Sequence, residues 1–159
     1  MYEYKATIRR VVDGDTVDVT LDLGFDILYN NRIRLLGIDT SEIRTRDLEE
    51  KALGLAAKDR VKELCPVGST VILKTTKDDR GKFGRILGEI FVDPDIVGEH
   101  INECIANDDS DIDLDHDGWV SVNDILIEEG HAYEYYGGKK KDFEAEMAKE
   151  KEASFGDKK

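Results

Sequence analysis

Cysteine is scarce in this chain, and Cys65 and Cys104 are the only two among its 159 residues. Two cysteines form no disulfide framework and lack the second pair that a zinc-binding motif needs, so we expect both to be reduced packing residues. Proline is equally rare, and no apolar run approaches the about 20 residues that a membrane helix requires. The amino terminus lacks the apolar core of a secretory signal. We therefore expect an intracellular protein with no membrane partner.

Basic residues are also in deficit, with 23 Lys and Arg against 36 Asp and Glu, which gives a net charge of −13. Such a charge opposes the approach of a nucleic acid, because like charges repel at long range. Its distribution weakens that objection. Six aspartates lie between Asp108 and Asp117, so nearly half of the excess is confined to one short segment. The basic residues cluster elsewhere, at 44–46, 74–85 and 139–141.

Hydrophobic periodicity predicts five strands and a helix in a definite order. Polar and β-branched residues alternate on both sides of Asp13-Gly14-Asp15, which predicts a hairpin of residues 4–12 and 16–23. A third strand is predicted at 32–38. Apolar residues then recur at helical spacing, which predicts a helix from the N-cap Asp47, with Glu50 three residues later, to a stop at Cys65-Pro66. Two further strands are predicted at 70–76 and 83–92, and shorter helices at 97–106, 122–129 and 141–153.

This element order is that of an α+β protein, mainly β, with a five-stranded OB-fold Greek-key barrel and three to four flanking helices. The length suits one domain, which we place at residues 1–155 with a frayed tail at 156–159. An acidic insertion at about 93–117 leads into a possible metal-binding loop at 113–124.

Three short strings carry the chemistry, and they are DGDT at 13–16, RLLGIDTSE at 34–42 and KFGR at 82–85. Each string alone is equally typical of an ordinary turn or strand. Together, and in this order, they resemble the staphylococcal nuclease (thermonuclease) family. The resemblance runs from about Lys5 to Lys141, is interrupted by the insertion, and resumes at Val122-Asn123 and 130–132.

Phosphodiester hydrolysis needs a water nucleophile, a hard cation and cationic donors for the charge of the transition state. Carboxylate and carbonyl oxygens suit Ca²⁺, and planar guanidinium groups grip phosphate oxygens in pairs. The resemblance therefore implies a Ca²⁺-dependent nuclease of DNA and RNA whose products carry 3′-phosphates. It assigns the Ca²⁺ to Asp15, Asp39 and the Thr40 carbonyl, phosphate stabilisation to Arg34 and Arg85, and the attacking water to Glu42, as base or as positioner.

Two positions depart from the family pattern. Ser41 replaces a typical proline, so we expect a less rigid Glu42 loop. Phe83 replaces a familiar tyrosine, which removes a hydroxyl that would bond a terminal phosphate. The resemblance implies a substrate-binding surface of Lys82, Phe83, Tyr135 and Tyr136. Since stacking tolerates any base, we expect a monomer that cleaves DNA and RNA and prefers single-stranded or frayed regions.

The insertion ends in a string that resembles an EF-hand or dockerin calcium loop. Carboxylates stand at positions one, three and five, glycine at six, an apolar residue at eight, and aspartate in place of glutamate at twelve. The predicted ligands of a second Ca²⁺ are Asp113, Asp115, Asp117, the Trp119 backbone and Asp124. A solvated acidic turn is the alternative. The three histidines have no spacing with cysteine that favours zinc.

Two other functions fit parts of the sequence. A catalytically silent OB-fold nucleic-acid-binding module would keep the barrel, although Arg34, Glu42 and Arg85 are all present. A calcium-responsive interaction module would explain the acidic loop but leave those three residues without a role.

Overall fold

The computed structural model describes residues 2–80, 86–108 and 111–134, and of residues 76–80 it describes the backbone only. The strands are β1 (Tyr2–Asp13), β2 (Thr16–Asp22), β3 (Leu28–Leu35), β4 (Ile38–Thr40), β5 (Thr70–Arg80), β6 (Ile86–Val92), β7 (Val120–Ser121) and β8 (Ala132–Glu134). The helices are α1 (Leu48–Leu64), a 3₁₀ turn (Pro94–Ile96), α2 (Glu99–Ala106) and α3 (Val122–Glu128). The predicted helix at 141–153 and the predicted start of a strand at 83–85 lie outside the described residues.

Five strands form a mixed barrel in the order β3-β2-β1-β5-β6, and a parallel pairing of β3 with β6 closes it. The other pairings in this series are antiparallel. Apolar side chains alternate along each strand and point inward, as Ile8, Val17, Ile33, Leu73 and Ile90 do at 1% exposure or less. The prediction of an α+β protein with a five-stranded barrel of OB type is confirmed, and three α-helices accompany the barrel in the described part of the chain.

The third strand differs from its prediction at both ends. It begins at Leu28, four residues before the predicted start, and it ends at Leu35. Gly37 then adopts a left-handed φ of 78°, which turns the chain before Ile38. The residues beyond it form β4, which leaves the barrel sheet and pairs antiparallel with β8. The predicted single strand at 32–38 is therefore wrong, because a glycine turn divides it.

Helix α1 lies against the end of the barrel that contains the DGDT turn. Its N-cap is Asp47, as predicted, and the Asp47 carboxylate accepts bonds from the amides of Glu49 and Glu50. Its buried face is narrow and carries small residues near the start, with Gly54 and Ala57 followed by Val61 and Leu64. Small side chains let neighbouring backbone approach the helix closely.

The inserted segment returns to the barrel through a strand bridge. Leu114 pairs with Val120, and β7 then adds to β6 through the pairing of Ser121 with Phe91. Ser121 also caps α3, since its hydroxyl accepts a bond from the Asp124 amide at 3.3 Å. Cys65 is a buried packing residue, and burial raises the pKa of its thiol to about 12. No helix in the described ranges is long and apolar enough to cross a membrane.

Candidate active site

The site forms where the DGDT turn meets the carboxyl end of β3. Arg34 pairs with Thr16 across the β2–β3 ladder, which places it beside the turn that carries Asp15. The Leu35 amide donates to the Asp15 carbonyl at 2.8 Å and fixes the turn to β3. Asp39 follows in β4, just past the glycine turn. The Asp15 carboxylate, from a separate turn, thereby meets the Arg34 guanidinium group and the Asp39 carboxylate.

Arg34 bridges the two carboxylates. Its Nη1 lies 3.5 Å from Asp15 Oδ2, and its Nη2 lies 3.3 Å from Asp39 Oδ1. The three side chains are only 11–13% exposed. Because burial weakens solvent screening, their mutual attraction is stronger here than on the surface. One positive charge faces two carboxylates, so this corner of the site keeps an attraction for a second cation.

Hydrogen bonds hold the Asp15 carboxylate in place. Thr16 Oγ1 donates to Oδ1 at 2.9 Å, while the amide and hydroxyl of Thr40 donate to Oδ2 at 3.3 and 3.2 Å. Burial raises the pKa of Asp15, but the Arg34 charge, a hydrogen-bonding contact with Asp39 and these threonine bonds outweigh burial. The pKa of Asp15 therefore lies below its ordinary value, and the group is ionised at neutral pH.

This donor set fits a hard cation such as Ca²⁺. Asp15 and Asp39 supply two oxygen ligands whose side chains are 13% and 11% exposed, and Thr40 adjoins them on β4. Ca²⁺ takes about 6–8 oxygen ligands, including backbone carbonyls and water. In the part of the chain that the structure describes, no third acidic or histidine ligand lies within 4.8 Å of both carboxylates. The remaining positions would fall to backbone carbonyls and water.

Glu42 lies in the loop between β4 and α1, where its side chain is exposed to solvent. Its amide donates to Glu50 Oε1 at 3.4 Å, and Thr45 Oγ1 donates to Glu50 Oε2 at 3.5 Å. The spacing of Asp47 and Glu50 is typical of a capping box, in which Glu50 would accept a bond from the Asp47 amide, and the structure contradicts that expectation. Glu50 does not bond back to the Asp47 amide, which donates to Thr45 instead. Glu50 binds the Glu42 loop to the first turn of α1.

Gly54 brings α1 into close contact with the same loop. A Cβ atom at this position would lie 2.6 Å from the Ser41 carbonyl oxygen and 3.0 Å from that of Glu42. Gly14 is similarly confined in the DGDT turn, where a Cβ atom would meet Ala57 Cβ at 2.8 Å and Thr40 Cγ2 at 3.0 Å. The two glycines thus let α1 pack directly against the DGDT turn and against the loop that carries Glu42.

Asp13 is a neighbour of the site that the sequence did not indicate as functional. Burial raises its pKa, the charge of Asp15 raises it further, and Glu42 adds to the same effect, while Lys58 and Arg44 oppose it. Asp15 and Glu42 are therefore both close enough for their charges to act on Asp13.

Asn123 is a second residue whose role sequence reasoning missed. It is 3% exposed, and its side-chain amide donates to the carbonyls of Leu36 at 2.9 Å and Gly88 at 3.3 Å. Its Oδ1 accepts from the Ile90 amide at 3.3 Å. These bonds tie α3 to β6 and to the turn between Arg34 and Asp39. A polar residue on the apolar face of a predicted helix was the available signal.

Five predicted site residues lie outside the described residues: Arg85, Lys82, Phe83, Tyr135 and Tyr136. Two described residues adjoin them in the sequence. Ile86, which follows Arg85 in the sequence, pairs with Ile33 beside Arg34. Tyr133 is half-buried and stands opposite Asp39 in the β4–β8 pairing.

The carboxylates of the predicted calcium loop fall into two separate groups. Asp113 and Asp124 each place a carboxylate oxygen within 4.8 Å of Glu89 and of one another. Burial, with repulsion from the neighbouring carboxylates, raises the pKa of Glu89 and of Asp124.

Asp115 belongs to the other group, with Glu3 and His116. The Trp119 carbonyl accepts a hydrogen bond from the Asp115 amide at 2.9 Å. Among the described residues, the carboxylates of Asp113, Asp115 and Asp117 do not come within 4.8 Å of one another as one set of ligands.

Comparison with known proteins identifies one family and three similar proteins. The family model "Staphylococcal nuclease homologue" matches residues 32–158. Three Bacillus subtilis (strain 168) proteins are similar to the chain: Endonuclease YhcR (29% identical over 111 residues), the SPbeta prophage-derived endonuclease YokF (36% over 93) and Endonuclease YncB (32% over 96). The aligned regions cover 66%, 58% and 58% of this chain but only 8%, 30% and 42% of the relatives' lengths. The chain belongs to the family of staphylococcal nuclease homologues.

Proposed function

We propose that this protein is a Ca²⁺-dependent endonuclease that hydrolyses phosphodiester bonds of DNA and RNA and leaves 3′-phosphates. The observation that carries the proposal is the buried bridge from Arg34 to Asp15 and Asp39 at the edge of the barrel, beside the loop of Glu42. The endonuclease names of the three similar proteins support the same reaction class.

Asp15, Asp39 and the Thr40 carbonyl would hold the Ca²⁺. When bound, the ion supplies positive charge to a non-bridging phosphate oxygen. The bonds from Thr16 and Thr40 to Asp15 fix one ligand before the ion arrives, so little reorganisation opposes binding.

Arg34 stabilises the additional negative charge that develops on the phosphate in the transition state. Its guanidinium group is already oriented by two carboxylates, and Nη1 also donates to the Leu35 carbonyl at 3.2 Å. A donor fixed in advance avoids the cost of reorienting during the reaction. Arg85 supplies the second fork in this proposal.

Glu42 orients the attacking water and accepts its proton. Its exposed side chain is open to solvent water, and its backbone is held by Glu50 and packed against Gly54. A general base must lie within hydrogen-bond reach of the proton that it accepts. The two contacts with α1 limit how far the loop can retreat from the phosphate, which offsets the lost rigidity expected from Ser41.

The proposed substrate surface consists of Lys82, Phe83, Tyr135 and Tyr136. Aromatic stacking with any base supports broad action on DNA and RNA by a monomer, with a preference for single-stranded or frayed regions. The second Ca²⁺, predicted in the 113–124 loop, is untested and stays a prediction. The separation of Asp113 and Asp124 from Asp115 argues for two local groups rather than one cage.

A nuclease assay tests the proposal. Plasmid, denatured DNA and RNA are incubated with the protein in Ca²⁺, in Mg²⁺ and in chelator, and Glu42→Gln is compared with Glu49→Gln. Glu49 is an exposed acid on the first turn of α1 and makes a matched control. We expect cleavage only in Ca²⁺, a loss of about 10²-fold in Glu42→Gln and none in the control. Absent cleavage, or equal rates in both variants, would contradict the proposal.

A further inference from the structure

The acidic insertion contains a buried carboxylate with one unsatisfied oxygen. Asp115 is 8% exposed, and its Oδ1 accepts hydrogen bonds from the amides of Asp117 and Trp119, both at 2.9 Å. Its Oδ2 is buried and has no hydrogen-bond partner among the described residues. A buried, unpaired carboxylate oxygen is costly, and native structures contain few of them.

Two further ligands lie beside this carboxylate. Glu3 and His116 each place a ligand atom within 4.8 Å of Asp115 and of one another. Because Oδ1 already accepts two amide protons, Oδ2 is the Asp115 oxygen left for a cation. His116 Nε2 also lies 3.2 Å from Asp117 Oδ2, which brings a fourth ligand close. The His116 and Asp117 side chains are 67% and 71% exposed, so they can rotate and a cation can reach them.

The backbone around Asp115 is fixed before any cation arrives. The Asp115 amide donates to the Trp119 carbonyl at 2.9 Å, and the Gly118 amide donates to the Asp115 carbonyl at 3.1 Å. Gly118 has a left-handed φ of 82°, which closes this tight turn. Glu3 lies at the start of β1, in the barrel sheet. The three ligands therefore join the insertion to the first strand of the barrel.

We propose that Glu3, Asp115 and His116 form a second metal site that takes a divalent transition-metal ion, Zn²⁺ or Mn²⁺. Imidazole nitrogen favours transition metals, whereas Ca²⁺ prefers oxygen ligands alone. Zn²⁺ binds His nitrogen and carboxylate oxygen at about 2.0–2.2 Å, usually with four ligands. Water or Asp117, which lies 3.2 Å from His116 Nε2, would complete the coordination.

This site differs from both calcium sites predicted from the sequence. It uses Glu3 and His116, neither of which belongs to the predicted calcium ligands, and it excludes Asp113 and Asp124. Its consequence is structural, because a bound ion would fasten the insertion to β1 and stabilise the folded chain by mass action. The site is independent of the proposed nuclease reaction.

Calorimetric titration of the full chain with Zn²⁺, Mn²⁺ or Ca²⁺ tests this proposal. An Asp39→Asn background removes one active-site ligand, so that binding in the insertion is counted separately. We expect about one equivalent of Zn²⁺ or Mn²⁺, weakened about tenfold or more by Asp115→Asn, His116→Ala or Glu3→Gln. Asp113→Asn and Glu89→Gln, in the other acidic group, are the matched controls and should bind as the background does.

Thermal unfolding provides a second readout. Zn²⁺ should raise Tm in the Asp39→Asn background and leave Tm unchanged once His116→Ala is added. Because His116 is exposed, its removal should not unfold the chain. The proposal is overturned by the absence of Zn²⁺ and Mn²⁺ binding, by an affinity in all three ligand variants equal to that of the Asp39→Asn background, or by Ca²⁺ affinity equal to that of Zn²⁺.

Discussion

Replacing Gly54 with alanine should slow cleavage while leaving the fold intact. The new methyl carbon would lie 2.6 Å from the Ser41 carbonyl oxygen, whereas ordinary contacts begin at 3.4 Å. The distance between α1 and the loop must therefore increase by about 0.8 Å. The obstacle is backbone rather than a flexible side chain, so the loop that carries Glu42 must move.

The expected loss of activity follows from that displacement. A misplacement of about 1 Å at a reacting group costs about 10² in rate. Stability should change little, because alanine is better than glycine in a helix interior by about 1 kcal/mol, which offsets part of the steric strain. We therefore predict that Gly54→Ala lowers kcat about 10²-fold and shifts Tm by only a few degrees.

Steady-state cleavage of single-stranded DNA, with thermal unfolding of the same samples, measures both quantities. Ala56→Ser enlarges a side chain on the exposed face of α1 and should retain full activity. Wild-type kcat in a folded Gly54→Ala protein would refute the positioning argument. Loss of activity only through unfolding would refute it equally.

Three other predictions concern the supports of the site. Glu50→Ala should lower kcat about tenfold because it releases the Glu42 amide, whereas Glu49→Ala should leave kcat unchanged. Steady-state kinetics of the two variants measures the difference. Asn123→Ala should lower the free energy of unfolding by about 3 kcal/mol in urea titration, because it leaves buried backbone groups of the barrel unpaired. The lowered pKa of Asp15 contributes stability above its unfolded pKa of about 3.9, and that stability is lost as pH falls through the folded value. The free energy of unfolding, measured between pH 2 and about 7, should therefore rise with pH more in the wild type than in Asp15→Asn. An equal pH dependence in the two proteins would contradict this.

The barrel was predictable because apolar alternation is local. Strand pairs such as β1 and β2 show it directly, and the Asp47 cap marks the start of α1. The division of the third strand was not predictable, since it depends on the left-handed Gly37 and on β4 pairing with a distant strand.

The sequence indicated Arg34, Asp15 and Asp39, which the fold brings together, but it did not indicate the residues that support them. Arg34 and its two aspartates lie in short strings whose order indicates chemistry. Glu50, by contrast, is placed as a capping-box partner by sequence spacing, and only the tertiary fold directs it to Glu42. By its spacing, Asp115 similarly fits a continuous calcium loop. The fold instead places it beside Glu3, near the amino terminus in β1.

In the proposed reaction, which depends on Ca²⁺, the Arg34 fork stabilises the phosphate transition state. The most direct test of this role is the single-turnover rate of Arg34→Lys on a labelled oligonucleotide in Ca²⁺, because lysine keeps the charge that balances Asp15 and Asp39 but loses the paired donors. Arg32→Lys is the matched control, two residues earlier on β3 and bonded to Asp18 on the exposed face. We predict a rate reduced about 10²-fold or more in Arg34→Lys and unchanged in Arg32→Lys. Equal rates in a folded Arg34→Lys protein and the wild type would contradict the claim.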